Sequence, residues 1–339
     1  MNCADRRTKY ITLLSNKYYI CDKDESRYVP YGYNLYHEIG NTQIYINENY
    51  LPIGIVYDNF ITSEQFDILT PLEKEDALIS TAMLEDLEDI NVETNSNIQI
   101  DTPINLNYTV KDDRIINNTI NISKKNETIE LSIENIPENC EIYLSIKNLK
   151  YISDNNNTSF KIKAKLDGIS NSEEVQDYIS SAYYMDNPDF LMNLGITKED
   201  QDNHLQITFS KKGRYTFDDL EILAVDMNKY ENKIDKLKTS VMEYIEYGND
   251  YILGTVDVSD KGILQITTSY SEGWKVYIDG EKQEVIKINE AFIGTVIEAG
   301  NHIVEFKYET PYLKLGIIFS TLGLLGYIFI ILKSKNKDK

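Results

Sequence analysis

Histidine and cysteine are too few and too scattered in this sequence to frame a metal centre or a nucleophilic site. The three histidines, His37, His204 and His302, stand apart, with none of the paired spacing that zinc sites use. They support no Ser-His-Asp or Cys-His arrangement. The three cysteines, Cys3, Cys21 and Cys140, match no metal-ligand spacing. A Cys3–Cys21 disulfide is open to them, and three small buried thiols are the plainer expectation. Glycine-rich phosphate loops are missing as well: neither GxGxxG nor GxxxxGK[ST] occurs, so no nucleotide and no cofactor is expected.

Positive charge is also short. Lys and Arg number 34 against 55 Asp and Glu, a formal net charge of −21. Such a surface repels a phosphate backbone, which excludes nucleic acid as a partner. It also disfavours lying flat on anionic lipid. The first twenty residues, MNCADRRTKYITLLSNKYYI, lack the apolar run of a signal peptide. The stretch Tyr10–Leu14 is too short for that role.

What the chain has in excess is tyrosine (26 residues), isoleucine and asparagine. Ile and Tyr suit strands, and runs such as Asn155-Asn156-Asn157 suit loops. An AT-rich bacterial genome favours the same residues. With so much asparagine, triplets such as the one at Asn117 arise by chance and do not imply glycosylation.

One long apolar run stands near the C-terminus. No residue from Ile317 to Leu332 is charged, and adding Leu313–Gly316 brings in only Lys314 at the edge. At about 1.5 Å per residue, Leu313–Leu332 spans about 30 Å, enough to cross the hydrocarbon core of a bilayer. Tyr312 and Tyr327 suit interfacial positions, and Lys314 can snorkel. A helix apolar on all sides is hard to bury in a β-rich domain. Leu313–Leu332 is therefore the expected contact with membrane lipid. The tail Lys333, Lys335, Lys337 and Lys339, against one Asp338, marks the cytoplasmic side. Residues 1–312 are then expected on the extracellular face of a bacterial plasma membrane, behind a single C-terminal span. Nothing at the N-terminus would export them. Either the orientation is inverted or the chain is the C-terminal part of a longer polytopic protein, and the second reading is preferred.

The remaining pattern predicts a mainly β fold with a few helices: a jelly-roll-like β-sandwich, a second small β-sandwich unit, and the terminal transmembrane helix. Residues 1–90 read as a small α/β segment with strands at Lys17–Ile20, Gln43–Asn47 and Ile53–Tyr57. A helix follows from Thr70-Pro71-Leu72-Glu73, a capping box, through Ala77, Leu78, Ala82 and Leu84 to about Asp86. Residues 91–225 form the first sandwich, with strands at Ile98–Ile100, Thr128–Ile133, Glu141–Ile146, Phe160–Leu166, Leu205–Ser210 and Tyr215–Leu223. Alternation is clear in Ile129, Leu131, Ile133 and in Ile142, Leu144, Ile146. A linker helix covers 226–244, with Tyr230, Ile234, Leu237 and Val241 on one face. Residues 245–311 form the second unit: strands Leu264–Ser269, Lys275–Ile278, Phe292–Ile297 and His302–Tyr308, with a type I′ turn at Asp279-Gly280.

Those last residues carry a recognisable order. Ser269-Tyr270-Ser271-Glu272-Gly273-Trp274-Lys275-Val276 is followed by Asp279-Gly280, Ala291-Phe292-Ile293-Gly294, Gly300-Asn301-His302, Phe306-Lys307-Tyr308 and Pro311, then at once by the apolar helix. This resembles the C-terminal end of the YfhO family of bacterial membrane proteins. Leu13–Ile20, Tyr50-Leu51-Pro52-Ile53-Gly54 and Leu69-Thr70-Pro71-Leu72-Glu73-Lys74 extend the resemblance along most of the chain. It implies a polytopic protein similar to GT-C glycosyltransferases, linked to glycosylation of cell-surface polymers such as lipoteichoic acid. In that fold the catalytic carboxylates sit in the first exterior loop, between early membrane helices. This sequence has no such helices, so no catalytic residue carries over, and a missing polytopic membrane core becomes an expected partner.

Individual site candidates are few. The acidic pairs Asp22/Asp24, Asp112-Asp113 and Asp218-Asp219 read chiefly as solvated turns in a chain with so many acids. Asp218 or Asp219 could serve as an oxygen ligand for Ca²⁺. Trp274, the single tryptophan, is a binding candidate that could stack on a sugar ring. Packing near Tyr277 and Phe292 as a hairpin anchor is the favoured reading. Two functions stay open. One is an exterior region accessory to transfer of a polyprenyl-linked sugar. The other is a stand-alone anchored module that binds a cell-surface glycan or is purely structural.

Overall fold

A computed structural model of the chain describes residues 6–85, 99–111, 114–152, 159–176, 188–199 and 201–335. Cys3, Asp86, Ile98, Asp112-Asp113, Asn155-Asn156-Asn157 and the last four residues of the basic tail lie outside them. The protein is mainly β with a few helices and ends in an apolar helix, as expected.

Alternation builds the first sandwich. Strand Glu127–Ile133 buries Ile129, Leu131 and Ile133 and leaves the residues between them less covered. It pairs antiparallel with His204–Phe209, which pairs with Phe160–Leu166 and then Ile169–Val175. The facing sheet centres on Cys140–Lys147, flanked by Phe190–Ile196 and Asp219–Asp226. Ile142, Leu144 and Ile146 share one core with the first sheet's inward residues. A third, smaller sheet of Ile115–Ile116, Thr119–Ile122, Gly213–Thr216 and Lys150–Ile152 adds Ile120, Ile122 and Tyr215 to that core. The expected strand Tyr215–Leu223 is corrected here: it is two strands in different sheets. The chain turns at Phe217-Asp218, where the Asp218 N–H donates to the Lys147 carbonyl and the Asn118 amide to the Asp218 carbonyl.

The second sandwich has one sheet of Met242–Tyr247, Tyr251–Val258, Gly300–Tyr308, Trp274–Ile278 and Glu281–Gln283. Asp279 and Gly280 close its hairpin with φ of +52° and +84°, the backbone of a type I′ turn. The Asp279 carboxylate accepts the Ile303 N–H at 2.9 Å and lies 2.7 Å from His302 Nδ1; these bonds hold its pKa below the ordinary range. The opposing sheet pairs Gly262–Ser269 with Phe292–Ile297 and also with Gly54–Tyr57 from the N-terminal quarter. Strands Phe60–Thr62 and Ala82–Leu84 extend the same sheet. Val256, Leu264, Ile266, Val276, Ile293, Val304 and Phe306 form the core between the sheets.

Both expected internal helices are shorter than their apolar patterns. The first spans Pro71–Leu78, started by Glu73, whose carboxylate accepts both the N–H and the hydroxyl of Thr70. It ends at Ile79, and the Ala82 N–H donates to the Asn59 carbonyl rather than to the helix. Ala82 and Leu84 then join a strand. The second helix, Met227–Leu237, is capped by Asp226, which accepts the Asn228 N–H. Its buried face is Met227, Tyr230, Ile234 and Leu237. Val241 lies beyond its end and bridges to Ile55 instead.

Near the N-terminus a short helix, Thr8–Leu13, leads into a three-stranded sheet of Tyr18–Asp22, Thr42–Asn47 and Tyr33–Ile39. At the other end the helix Leu313–Lys335 stands free of the rest of the molecule. Among the described residues it is the one helix long and apolar enough to cross a membrane.

Candidate functional site

Charge is concentrated where Thr8–Leu13 meets helices Pro71–Leu78 and Met227–Leu237 and the first sandwich. Lys9 Nζ lies 2.5 Å from Asp76 Oδ1, and Lys233 closes on the other oxygen of the same carboxylate. Lys233 also pairs with Asp101 at 2.8 Å, and Lys229 joins Asp101 at 3.1 Å. Burial pushes the Asp101 carboxyl up, but the bonds from Lys233 and Lys229 outweigh it and leave its pKa below the ordinary range. Arg7 Nη1 pairs with Glu75 at 2.6 Å.

One step deeper, Glu141 is fully enclosed. Its oxygens accept from Thr8 Oγ1 (2.8 Å), Asn193 Nδ2 (2.9 Å) and the Tyr143 hydroxyl (2.6 Å). Burial raises the Glu141 pKa, and these three donors oppose the rise. Every carboxylate here is already matched by cations or donors. The arrangement is a joint of ion pairs and hydrogen bonds that ties helices to a sandwich.

Beside this joint lies a cleft of about 170 Å³, lined by Arg6, Arg27, Tyr28, Asn193, Lys198 and Gln201 among others. The Arg6 and Arg27 guanidinium carbons sit 4.5 Å and 4.9 Å from the centre of the Tyr28 ring. A hydrogen bond with Ser170 and these cations lower the Tyr28 pKa. Two guanidinium groups at one aromatic ring, with Lys198 in the same lining, suit an anionic or hydroxyl-rich ligand. Sequence reasoning missed this cleft because its residues come from three distant segments with no shared pattern. A larger cavity of about 400 Å³ between helix Met227–Leu237 and the second sandwich has a mixed lining that includes Asp58, Asp260, Lys233 and Lys236.

The residues singled out from the sequence do not converge. Trp274 is half-buried at the start of its strand, 5.2 Å from Tyr308 ring to ring, and packs against the second core. Asp218 accepts from the Asn148 amide, and Asp219 pairs with Lys147. Among the described residues no cluster of three His, Cys, Asp or Glu could hold a metal ion. Asp22 and Asp24 are exposed at a turn. His37 is exposed, His204 lies on a strand near Ser132, and His302 braces the Asp279-Gly280 turn. Cys21 and Cys140 are free and buried, and burial pushes the Cys140 thiol up to about 11.

Comparison with known proteins gives the family context. A family model described as bacterial membrane protein YfhO matches residues 2–320. The uncharacterized protein YfhO of Bacillus subtilis (strain 168) is 23% identical over 341 residues, covering 98% of this chain and 37% of that protein. The chain thus spans well under half the length of that curated relative. Among solved structures, arabinofuranosyltransferase AftD from Mycobacteria, in a mutant form, is 14% identical over 54% of this chain and 14% of its own, with a TM-score of 0.23. Dimeric latent PorU from Porphyromonas gingivalis is 8% identical over 87% and 32%, with a TM-score of 0.24. At such scores neither structure carries an argument about this chain.

Proposed function

The chain belongs to the YfhO family of bacterial membrane proteins, and from that premise we propose that it is an extracytoplasmic region accessory to lipid-linked sugar transfer. In this reading Leu313–Leu332 crosses the plasma membrane, the lysines from Lys333 onward stay in the cytoplasm, and the β domains face outward. A polytopic membrane portion supplies the catalytic carboxylates and takes the sugar from a polyprenyl-linked donor. The β domains hold or shape the acceptor, a cell-surface polymer of the lipoteichoic acid type.

The observation that carries this reading is the reach of the family match, from residue 2 into the apolar helix. The test is direct. The purified chain, reconstituted in vesicles with a polyprenyl-phosphate-linked sugar and lipoteichoic acid, is expected to transfer nothing alone. Transfer by the chain alone overturns the accessory role. A run of apolar helices encoded immediately upstream in the DNA supports the reading, and an isolated gene counts against it.

A second reading, a glycan-binding module that needs no catalytic partner, is favoured by two features. Trp274 keeps part of its ring exposed beside Tyr308, and the Arg6–Tyr28 cleft offers cations and amides around an aromatic ring. Glycan binding by the full chain that is lost in Trp274→Ala, with the fold intact, distinguishes it.

A further inference from the structure

The register of the second sandwich sorts its ends. Trp274 pairs with Tyr308, Tyr251 with Lys307, and Tyr247 with Ile252, so these residues share one end. Val258, Gly262, Ile297 and Gly300 mark the other. The aromatic end is the one next to the membrane helix. Only four residues separate Tyr308 from Leu313, about 18 Å at full stretch. Glu309 ties the two together, pairing with Lys275 at 2.8 Å and with Lys314 in the helix's first turn at 3.3 Å.

The three-stranded N-terminal sheet is rooted at this same end. The Thr267 N–H donates to the Ile53 carbonyl at 2.7 Å, and the Ser15 hydroxyl to the Pro52 carbonyl at 3.2 Å. Lys17 Nζ lies 5.7 Å from the centre of the Tyr18 ring and 5.3 Å from that of Tyr50. One face of the sheet packs on the turn of 3₁₀ helix Lys23–Tyr28. By register, the other face carries Tyr18, Ile20, Ile44, Ile46 and Ile39 together with Asp22, Thr42, Asn34 and His37, and the Tyr36 ring, at the bulge, lies 6.0 Å from Tyr18. Ile20 and Tyr36 are each 63% exposed and Ile39 62%, so these apolar side chains have no cover within the described residues.

We propose that this face lies on the bilayer surface, as a second membrane contact beside the helix. Tyrosine and tryptophan favour the boundary between headgroups and acyl chains, and isoleucine favours the acyl region just below it. Trp274, Tyr308 and Tyr312 stand at the helix entry, at the end of the second sandwich where this sheet is rooted. The contact is apolar and works in spite of the acidic net charge, so neutral lipid suffices. Two contacts, one a span and one a surface, fix the tilt of the domain where a single helix would leave it free to swing.

The proposal rests on the helix crossing the membrane, and its test separates the two ideas. In the Trp274→Phe background, single tryptophans are introduced by Leu325→Trp, Tyr36→Trp, Ile39→Trp and Ile116→Trp. The full chain is reconstituted in phosphatidylcholine vesicles whose acyl chains carry bromine near the headgroup or near the chain ends. Leu325→Trp is expected to lose emission to the deep bromines. Tyr36→Trp and Ile39→Trp are expected to lose emission to the shallow bromines, with a blue shift that Ile116→Trp, at the far end of the first sandwich, does not show. If Leu325→Trp is quenched while Tyr36→Trp and Ile39→Trp behave like Ile116→Trp, the surface contact is wrong and the span stands. If Leu325→Trp is unquenched, the span and the surface contact both fall.

Discussion

The interior of the first sandwich and the joint beside it, where Lys9, Asp76 and Glu141 are buried, are built on opposite principles. The sandwich fills its space with side chains such as Ile142, Leu144, Ile207 and Phe209, which need only volume and the right face of a strand. The joint fills its space with Lys9, Asp76, Lys233 and Glu141, which need specific partners. A non-directional contact tolerates small shifts. An ion pair taken out of water is favourable only when its geometry is met, so the joint is the part of the molecule that defines how its pieces sit together.

The largest effect should come from breaking the joint. Asp76 receives Lys9 and Lys233 and also accepts the Asp101 N–H at 2.7 Å. Asp76→Ala leaves the buried Lys9 ammonium without that partner and Lys233 with Asp101 alone, at an expected cost of ~3–5 kcal/mol. Urea unfolding of the full chain in detergent, followed by Trp274 fluorescence, gives the change in midpoint. A shift no larger than that of a surface substitution would show that water reaches the joint and that the contrast with the sandwich is false.

That contrast also marks what was legible in the sequence. Period-two alternation needs no partner to be seen, so Ile129, Leu131, Ile133 and Ile142, Leu144, Ile146 declared their strands and their buried face. The Asp279-Gly280 turn was equally plain, because positive φ at two successive positions restricts the residues that can stand there. Helix ends were harder. The apolar pattern ran on past Leu78 and Leu237, while pairing of Ala82–Leu84 with Phe60–Thr62 and the bridge at Ile55–Val241 took the later residues into sheets. Long-range pairings left no trace: nothing in Gly54–Tyr57 names Gly262–Ser269 as its neighbour. The cleft around Tyr28 was hidden for the same reason, its cations being single residues in separate segments.

The sandwich side of the comparison predicts a smaller and plainer response. Ile207→Val removes one methylene group from a fully buried position and is expected to cost about 0.5–1.5 kcal/mol. The loss should be the same at low and high salt, since no charge is involved, whereas the loss in Asp76→Ala should not be read without stating the salt. A salt-dependent penalty at Ile207 would mean that the two regions unfold as one coupled unit.

The smallest difference is a pH-dependent one, because it concerns one side chain at the rim of the sandwich. Glu127 accepts the Ser123 N–H and hydroxyl, the Arg114 guanidinium at 3.1 Å and the Lys124 N–H, and these bonds lower its pKa to about 2. An unfolded glutamate titrates near ~4.3. The folded value is the lower of the two, so the stability that the charge contributes is fully present above the unfolded value. It is lost as the pH falls toward the folded one. The gap in unfolding midpoint between the wild type and Glu127→Gln should therefore be constant above about pH 5 and close between about pH 5 and about pH 2. A gap that persists unchanged into acid would show that Glu127 acts by shape, as the apolar core does, and that the ionic mode of assembly belongs to the joint alone.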